Sequence, residues 1–238
     1  MVTKEQQHWD RWNLDRVADG LVRERQVLCE AAVREVQALP LHSGARLLDI
    51  ACGAGWTSER LYKQFDYVGL DLGPESIAAA QARVPEARFV SADYVHWTER
   101  PDYYEAILCV DAITCFHEQE EAVRKMYREL KPGGWLVMTA LNPVIYSRMS
   151  WVGPPGEGQA RKWLTRAALH TLLERNGFRL LKSRTVAPGG DTGLLHVINA
   201  RKVNRMMSVF MGSKGWTRLK EMLQLGQFRI VVAQKISS

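Results

Sequence analysis

A chain of 238 residues, 46% hydrophobic and 24% charged, has the balance of a folded globular protein and the length of one α/β domain with insertions. Its formal charge of +6 is uneven: residues 158–238 hold 15 Lys/Arg against three Asp/Glu, and residues 1–157 hold 17 against 23. No apolar run approaches the roughly 18 residues that span a bilayer, the first residues are too polar for a signal-peptide core, and the four cysteines lack CxxC spacing; the expectation is a cytoplasmic protein with free, mostly buried thiols.

Residues 3–40 place Trp9, Trp12, Val17, Leu21, Leu28, Ala32 and Val36 between charges at helical spacing. From Ala45 strand and helix alternate. The predicted first strand, Arg46–Ala51, runs into Cys52-Gly-Ala-Gly55 and a helix over Thr57–Gln64. A second strand, Asp66–Leu70, ends at Asp71, and Gly73-Pro-Glu75 opens the next helix, since proline suits a first turn. Arg88–Val90 is a short third strand before Ser91-Ala-Asp93. Tyr104–Val110, apolar but for Glu105, predicts a central parallel strand buried on both faces. Glu118–Leu130 is an amphipathic helix stopped by Lys131-Pro-Gly-Gly134, and Trp135–Ala140 is the fifth strand. A Gly/Pro-rich loop, Gly153–Gly158, precedes a helix from Leu164-Thr165 to Asn176-Gly177. Phe178–Val186 and Phe228–Ala233 are the last strands, with helical stretches between them around Asn199–Phe210 and Trp216–Leu225. This order predicts an α/β fold: a Rossmann-like, doubly wound, mostly parallel sheet with helices on both faces.

In such sheets ligands bind beyond the carboxyl ends of the strands, beside the first one. The turn there is Asp49-Ile-Ala-Cys-Gly-Ala-Gly55, and Gly53 and Gly55, lacking a Cβ, let the backbone approach a ligand closely. Asp71 closes the second strand, where a carboxylate can accept both hydroxyls of a ribose. These features fit any adenosine cofactor. Three others separate a sulfonium nucleoside from a dinucleotide. Residue 58 is Ser where G-x-G-x-x-G requires Gly. Asp49 precedes the glycines, would repel a pyrophosphate, and can help to hold a cationic α-amino group through water or neighbouring backbone. Asp93 ends the third strand, where it can accept from the exocyclic amine of adenine.

Leu47-Leu-Asp-Ile-Ala-Cys-Gly-Ala-Gly55, Val68-Gly-Leu-Asp71, Ser91-Ala-Asp93, Ala106-Ile-Leu-Cys-Val-Asp111 and Arg128-Glu-Leu-Lys-Pro-Gly-Gly134 form five motifs in order. Through them residues 45–140 resemble the class I S-adenosylmethionine (SAM)-dependent methyltransferase superfamily, in its small-molecule branch of the methyltransferase-11 or -25 type. The resemblance implies a seven-stranded sheet whose last strand is antiparallel, and SAM as the cofactor. It implies SAM contacts from Asp49, from the backbone of Ala51, Cys52, Gly53 and Gly55, and from Asp71 with Leu72. Asp93 with Tyr94, and Val110 with Asp111, complete the implied set. One domain is expected, with a helical cap (1–44), a SAM-binding core (45–140) and a substrate-side half (141–238) carrying a helical insertion at 187–226.

A sulfonium methyl is already activated, so the protein's tasks are alignment, exclusion of water and removal of a proton. His117, soon after the fourth strand, and His196, in the insertion, are the candidate bases. Tyr146 and Arg148 are candidates for orienting an acidic or hydroxylated substrate, and Trp9 and Trp12 for an aromatic wall against the sulfonium. No His/Asp/Glu cluster has ligand spacing, so no metal is expected. The expected reaction is methyl transfer to oxygen or nitrogen of a small metabolite or sugar; the basic C-terminal third fits an anionic acceptor, nucleic acid, a membrane surface or merely a solvated face.

A NAD(P)-dependent oxidoreductase is the alternative from another class, and the missing third glycine argues against it. A methyltransferase acting on nucleic acid is another. Against it, the fourth strand ends Asp111-Ala-Ile-Thr instead of D/N-P-P-Y/F/W, and none of the nine prolines precedes a cysteine; no nucleic-acid partner is expected. Val203–Leu225, apolar among Lys/Arg, fits a substrate lid or interface better than a peripheral membrane contact. A monomer or homodimer is expected.

Overall fold

The structure, a computed structural model, describes residues 3–150 and 162–236. The expected Gly/Pro-rich loop at 153–158 lies outside the described residues. The first forty residues form two helices, α1 (Lys4–Asp19) and α2 (Arg23–Gln37), separated at Gly20 with φ 81°. Thr3 opens α1 in a reciprocal capping box with Gln6. Their periodicity reads as one helix because the break comes between two runs of the same spacing.

Seven strands follow: β1 (Arg46–Ile50), β2 (Asp66–Asp71), β3 (Arg88–Ser91), β4 (Tyr104–Cys109), β5 (Leu130–Leu141), β6 (Phe178–Pro188) and β7 (Gly226–Lys235). They form one sheet in the order β3-β2-β1-β4-β5-β7-β6. β7 runs antiparallel to both neighbours, β5 and β6, and the pairings among β1–β5 are parallel. The fold is therefore the doubly wound, Rossmann-like sheet that the alternation predicts. The helices after α2 are α3 (Ser58–Leu61), α4 (Pro74–Arg83), α5 (Gln119–Glu129), α6 (Pro143–Tyr146), α7 (Arg166–Arg175), α8 (Gly193–Asn199) and α9 (Arg201–Met222).

Alternation along the strands divides the core. Leu47, Leu108, Val137 and Ile230 pack with Leu28, Ala32 and Val36 of α2 on one face. Leu48, Ile107, Leu136 and Met138 pack with α5 and α7 on the other. Side chains two apart share a face, so each central strand needs an apolar run and not an alternating one. A part-buried ion cluster ties α2 to the far edge: Glu35 accepts from Lys182 Nζ at 2.7 Å and Arg184 Nη2 at 2.8 Å. Burial opposes ionisation there, but the two cations hold the Glu35 carboxyl below its ordinary range.

β5 starts at Leu130, five residues before the predicted Trp135. Leu130 pairs with Tyr104, and the register then shifts before Ala106 pairs with Trp135. That irregularity takes Pro132 and the left-handed Gly133 (φ 73°) into the strand, where a regular ladder would exclude proline.

Candidate active site

A cavity of about 350 Å³ lies beyond the carboxyl ends of β1, β2 and β4, with α1 and the start of α2 on its other side. Its volume falls in the range of small-molecule sites, roughly 300–1,000 Å³. Two of the strands that feed it end in non-glycine residues with left-handed backbone, Ala51 (φ 55°) and Asp111 (φ 56°). Such conformations cost on the order of 1–3 kcal/mol and persist where surrounding structure enforces them.

Two buried carboxylates sit at the strand tips. Asp49 Oδ2 accepts from Thr57 Oγ1 at 2.5 Å and from the Tyr67 hydroxyl at 2.8 Å. Asp71 accepts one backbone N–H on each oxygen, from Gly53 at 2.8 Å and from Gly73 at 2.9 Å. Each oxygen keeps acceptor capacity. Burial pushes both carboxyls up to about 6, against those donors, and the Asp71 charge adds to the rise at Asp49. Ionising both is costly, and a cation placed between them would offset that cost.

Helix α1 is pinned over this corner. Asp10 Oδ1 accepts from the Ser76 N–H at 2.8 Å and the Ser76 hydroxyl at 2.7 Å, and Asn13 Nδ2 donates to Ser76 Oγ at 2.9 Å. Ser76 is in the first turn of α4, whose own N-cap, Gly73, has no side chain to offer. A carboxylate from α1 thus does the capping across space. A Cβ on Gly53 would stand 2.8 Å from Asn13 Oδ1, so the glycine permits this close packing as well as its left-handed φ of 55°.

At the tip of β4, Asp111 is ion-paired with Arg25 of α2, and its N–H donates to Thr139 Oγ1 at 2.7 Å. Asp111 Oδ1 and Trp56 Nε1 are buried without a hydrogen-bond partner, and both residues line the cavity. Arg16 and Arg25 hold their guanidinium carbons 3.4 and 4.6 Å from the centroid of the Trp12 ring. Burial first, then the neighbouring Arg25 charge, lowers the pKa of Arg16. Tyr146 is buried and lines the same cavity. His117 also lines the cavity, its imidazole exposed and its Nε2 3.6 Å from the Glu5 carboxylate. Among the described residues no group of three or more His, Cys, Asp or Glu is placed to hold a metal ion.

The description "Methyltransferase domain" belongs to a family whose pattern matches residues 21–183. The chain belongs to this methyltransferase domain family. Its seven-stranded sheet, with β7 antiparallel, is the one that the resemblance to class I SAM-dependent methyltransferases implies. It is 31% identical over 111 residues to a ubiquinone biosynthesis O-methyltransferase of Aliivibrio fischeri, a match covering 44% of this chain and 47% of that protein. It is 30% identical over 103 residues to a trans-aconitate 2-methyltransferase of Variovorax paradoxus, covering 42% of this chain and 40% of that one. The matches thus span less than half the length of these curated relatives. An S-adenosylmethionine-dependent methyltransferase from Mesorhizobium loti has the same fold, with a TM-score of 0.63 at 22% identity over 91% of this chain and 99% of that one.

Within the cavity the expected residues are distributed unevenly. Asp49, Ala51, Cys52, Gly53, Asp71, Leu72, Val110 and Asp111 line it, as do Trp9 and Trp12. Asp93 lines it too, but its carboxylate also accepts from the Val95 N–H at 3.0 Å and pairs with His96 Nδ1 at 2.8 Å. Tyr94 contributes to the wall while its hydroxyl donates to Glu129 at 2.9 Å.

Three expected site residues and one expected segment lie outside the cavity lining. Gly55 does not reach the cavity; a Cβ there would stand 3.2 Å from Ala80 of α4, so its bareness serves helix packing. His196 lies on α8 with Nδ1 3.2 Å from the Asp191 carbonyl, and is not brought to the cavity. Arg148 is exposed and donates to the Val144 carbonyl at 2.6 Å, closing its own helical turn. The insertion at 187–226, whose Val203–Leu225 stretch is expected as a substrate lid or interface, contributes no residue to the lining. Arg25, Asn13, Trp56 and Thr57 are the site residues that sequence reasoning missed; only Thr57, eight positions after Asp49, left a local signal.

Proposed function

We propose that this chain transfers the methyl group of SAM to an oxygen or nitrogen atom of a small acceptor carrying an anionic group. The observation that carries the reading is the pair of buried carboxylates, Asp49 and Asp71, opening on one cavity with the Arg25–Asp111 pair and the Trp12 ring. SAM, when bound, supplies an activated methyl on a sulfonium.

The residues fit that group. Asp71, held by the Gly53 and Gly73 amides, would accept the ribose hydroxyls on its remaining lone pairs. Asp49 would set a negative potential for the ammonium end, and Trp56 Nε1 is an unused donor suited to a carboxylate. Asp93, at the end of β3, would take the adenine amine. A pyrophosphate would meet two buried carboxylates at the same tips, which disfavours the dinucleotide reading.

On the acceptor side, Arg25 beside Trp12, with Tyr146, would orient an acidic group. His117, lining the cavity, would remove a proton where the acceptor requires it, a task contributing typically 10²–10⁴-fold. Residues 1–44 would act as a cap over a 45–140 cofactor core. Thermal unfolding with S-adenosylhomocysteine or NAD tests the reading, because only a ligand of the native state raises the midpoint. A rise with S-adenosylhomocysteine and none with NAD is expected; the reverse contradicts it.

A further inference from the structure

The segment between β6 and β7 contributes nothing to the cavity lining, yet among the described residues it carries the largest run of exposed apolar side chains. α9 is broken at Gly212, whose φ of 74° and ψ of 155° reverse the chain. The two arms fold back on each other: Trp216 Nε1 donates to Asn204 Oδ1 at 2.8 Å, and Lys220 Nζ reaches Asn199 and Asn204 Oδ1 at 3.1 Å. The base is fixed to the sheet edge, with Thr185 Oγ1 donating to the Glu221 carbonyl at 2.9 Å and Asn199 Nδ2 to the Gly189 carbonyl at 2.7 Å. What projects is a hairpin with Gly212 at its tip.

That tip is apolar. Val209 is 80% exposed, Phe210 78%, Met206 52% and Met211 41%. Exposing them to water costs free energy in proportion to their area. Arg201, Lys202 and Arg205 precede them on the first arm, and Lys214 and Arg218 follow on the second, all exposed. From Thr192 to Lys220 there are six Lys/Arg and no Asp/Glu.

We propose that this hairpin is a peripheral membrane anchor that inserts its apolar tip among the acyl chains of an anionic bilayer while the cationic collar meets the headgroups. Three features select a bilayer over another protein surface. The patch sits at the turn of the hairpin around Gly212, so its apolar side chains are presented at an exposed end. The collar is of one sign, so it calls for a surface of many anions. A second copy of this chain would set one collar against the other and be repelled. The hairpin springs from the carboxyl edge of the sheet, where the cavity also opens, so anchoring brings acceptors held at a membrane to the same side as the site. This inference does not depend on which acceptor the cavity takes.

Co-sedimentation of the full chain with vesicles of phosphatidylcholine and phosphatidylglycerol (1:1), against pure phosphatidylcholine, tests it. Partition into the anionic vesicles only is expected, and lower partition at high salt. Each lost cation is worth about fivefold at such a surface, so Lys202→Gln with Arg205→Gln should lower partition by about twenty-fivefold. Val209→Ser with Phe210→Ser should lower it comparably, with the S-adenosylhomocysteine thermal shift unchanged as proof of an intact fold. Failure to bind anionic vesicles, or binding that the Val209→Ser and Phe210→Ser pair leaves intact, overturns the proposal. So does sedimentation-velocity evidence of a dimer that the same pair dissolves.

Discussion

At Asp49 and Asp71 the protein keeps two carboxyls where water cannot solvate them, and donors from Thr57, Tyr67, Gly53 and Gly73 only partly compensate. Each titrates near 6 in the folded state, above the ordinary carboxylate value of 3.8. Their ionisation therefore costs folding stability above about pH 6, and that cost fades as the pH falls toward 4. A cationic ligand selects the ionised forms, so affinity for SAM should be full above pH 7. Below pH 6 it should fall, by up to about tenfold per pH unit for each carboxylate that must lose its proton. Calorimetric titration between pH 5 and 8 reads this directly; an affinity constant across that span contradicts it. Arg25 offers a second residue-level test. Its removal leaves Asp111 buried with no cation, so Arg25→Ala should cost about 3–5 kcal/mol in denaturant unfolding, with part recovered by adding Asp111→Asn. No recovery would mean that the arginine acts through packing alone.

Some of this was legible in the sequence and some was not, and the reason is chain separation. Asp49 and Asp71 can be read because each is defined by its own strand end. Arg25 meets Asp111 across 86 positions, and Asn13 meets Ser76 across 63, with no local pattern announcing either contact. His196 and Arg148 fall in segments on the correct edge of the sheet, but sequence places a segment on an edge without saying which way its side chains turn.

Among the elements, α1 is the one most directly coupled to the site. Its hold on α4 runs through Asp10, which supplies the cap that Gly73 lacks. Asp10→Ala should cost about 1 kcal/mol of stability, the usual worth of a helix cap. Its effect on cofactor affinity should be larger than on stability, because Trp9, Trp12 and Asn13 line the cavity from the same helix. Calorimetry beside thermal unfolding separates the two; equal effects would show that α1 is only a brace. The strands were readable because burial on both faces demands apolar runs. The break at Gly20 and the early start of β5 were not: one glycine among helix formers, and a proline admitted by a register shift, are tertiary outcomes.

Over the whole molecule, the charge asymmetry seen in the sequence separates into two uses. Lys182 and Arg184 are spent on Glu35, and Lys235 on Asp102 at 2.7 Å, fastening the sheet edge to its surroundings. Arg201, Lys202, Arg205, Lys214 and Arg218 of the α9 hairpin remain on the surface. Composition could report the excess but not this division, which depends on α2 crossing to β6. No helix among the described residues is long and apolar enough to cross a membrane.

Everything functional rests on a sulfonium nucleoside occupying the cavity at the tips of β1 and β2. Isothermal titration of SAM and S-adenosylhomocysteine into the full chain, beside an Asp71→Ala variant shown by circular dichroism to be folded, tests this most directly. Saturable binding to the native protein is predicted, weakened about a hundredfold in the variant by the loss of two charge-assisted hydrogen bonds. No detectable heat with either ligand in well-folded native protein, or affinity unchanged in the variant, would contradict the account.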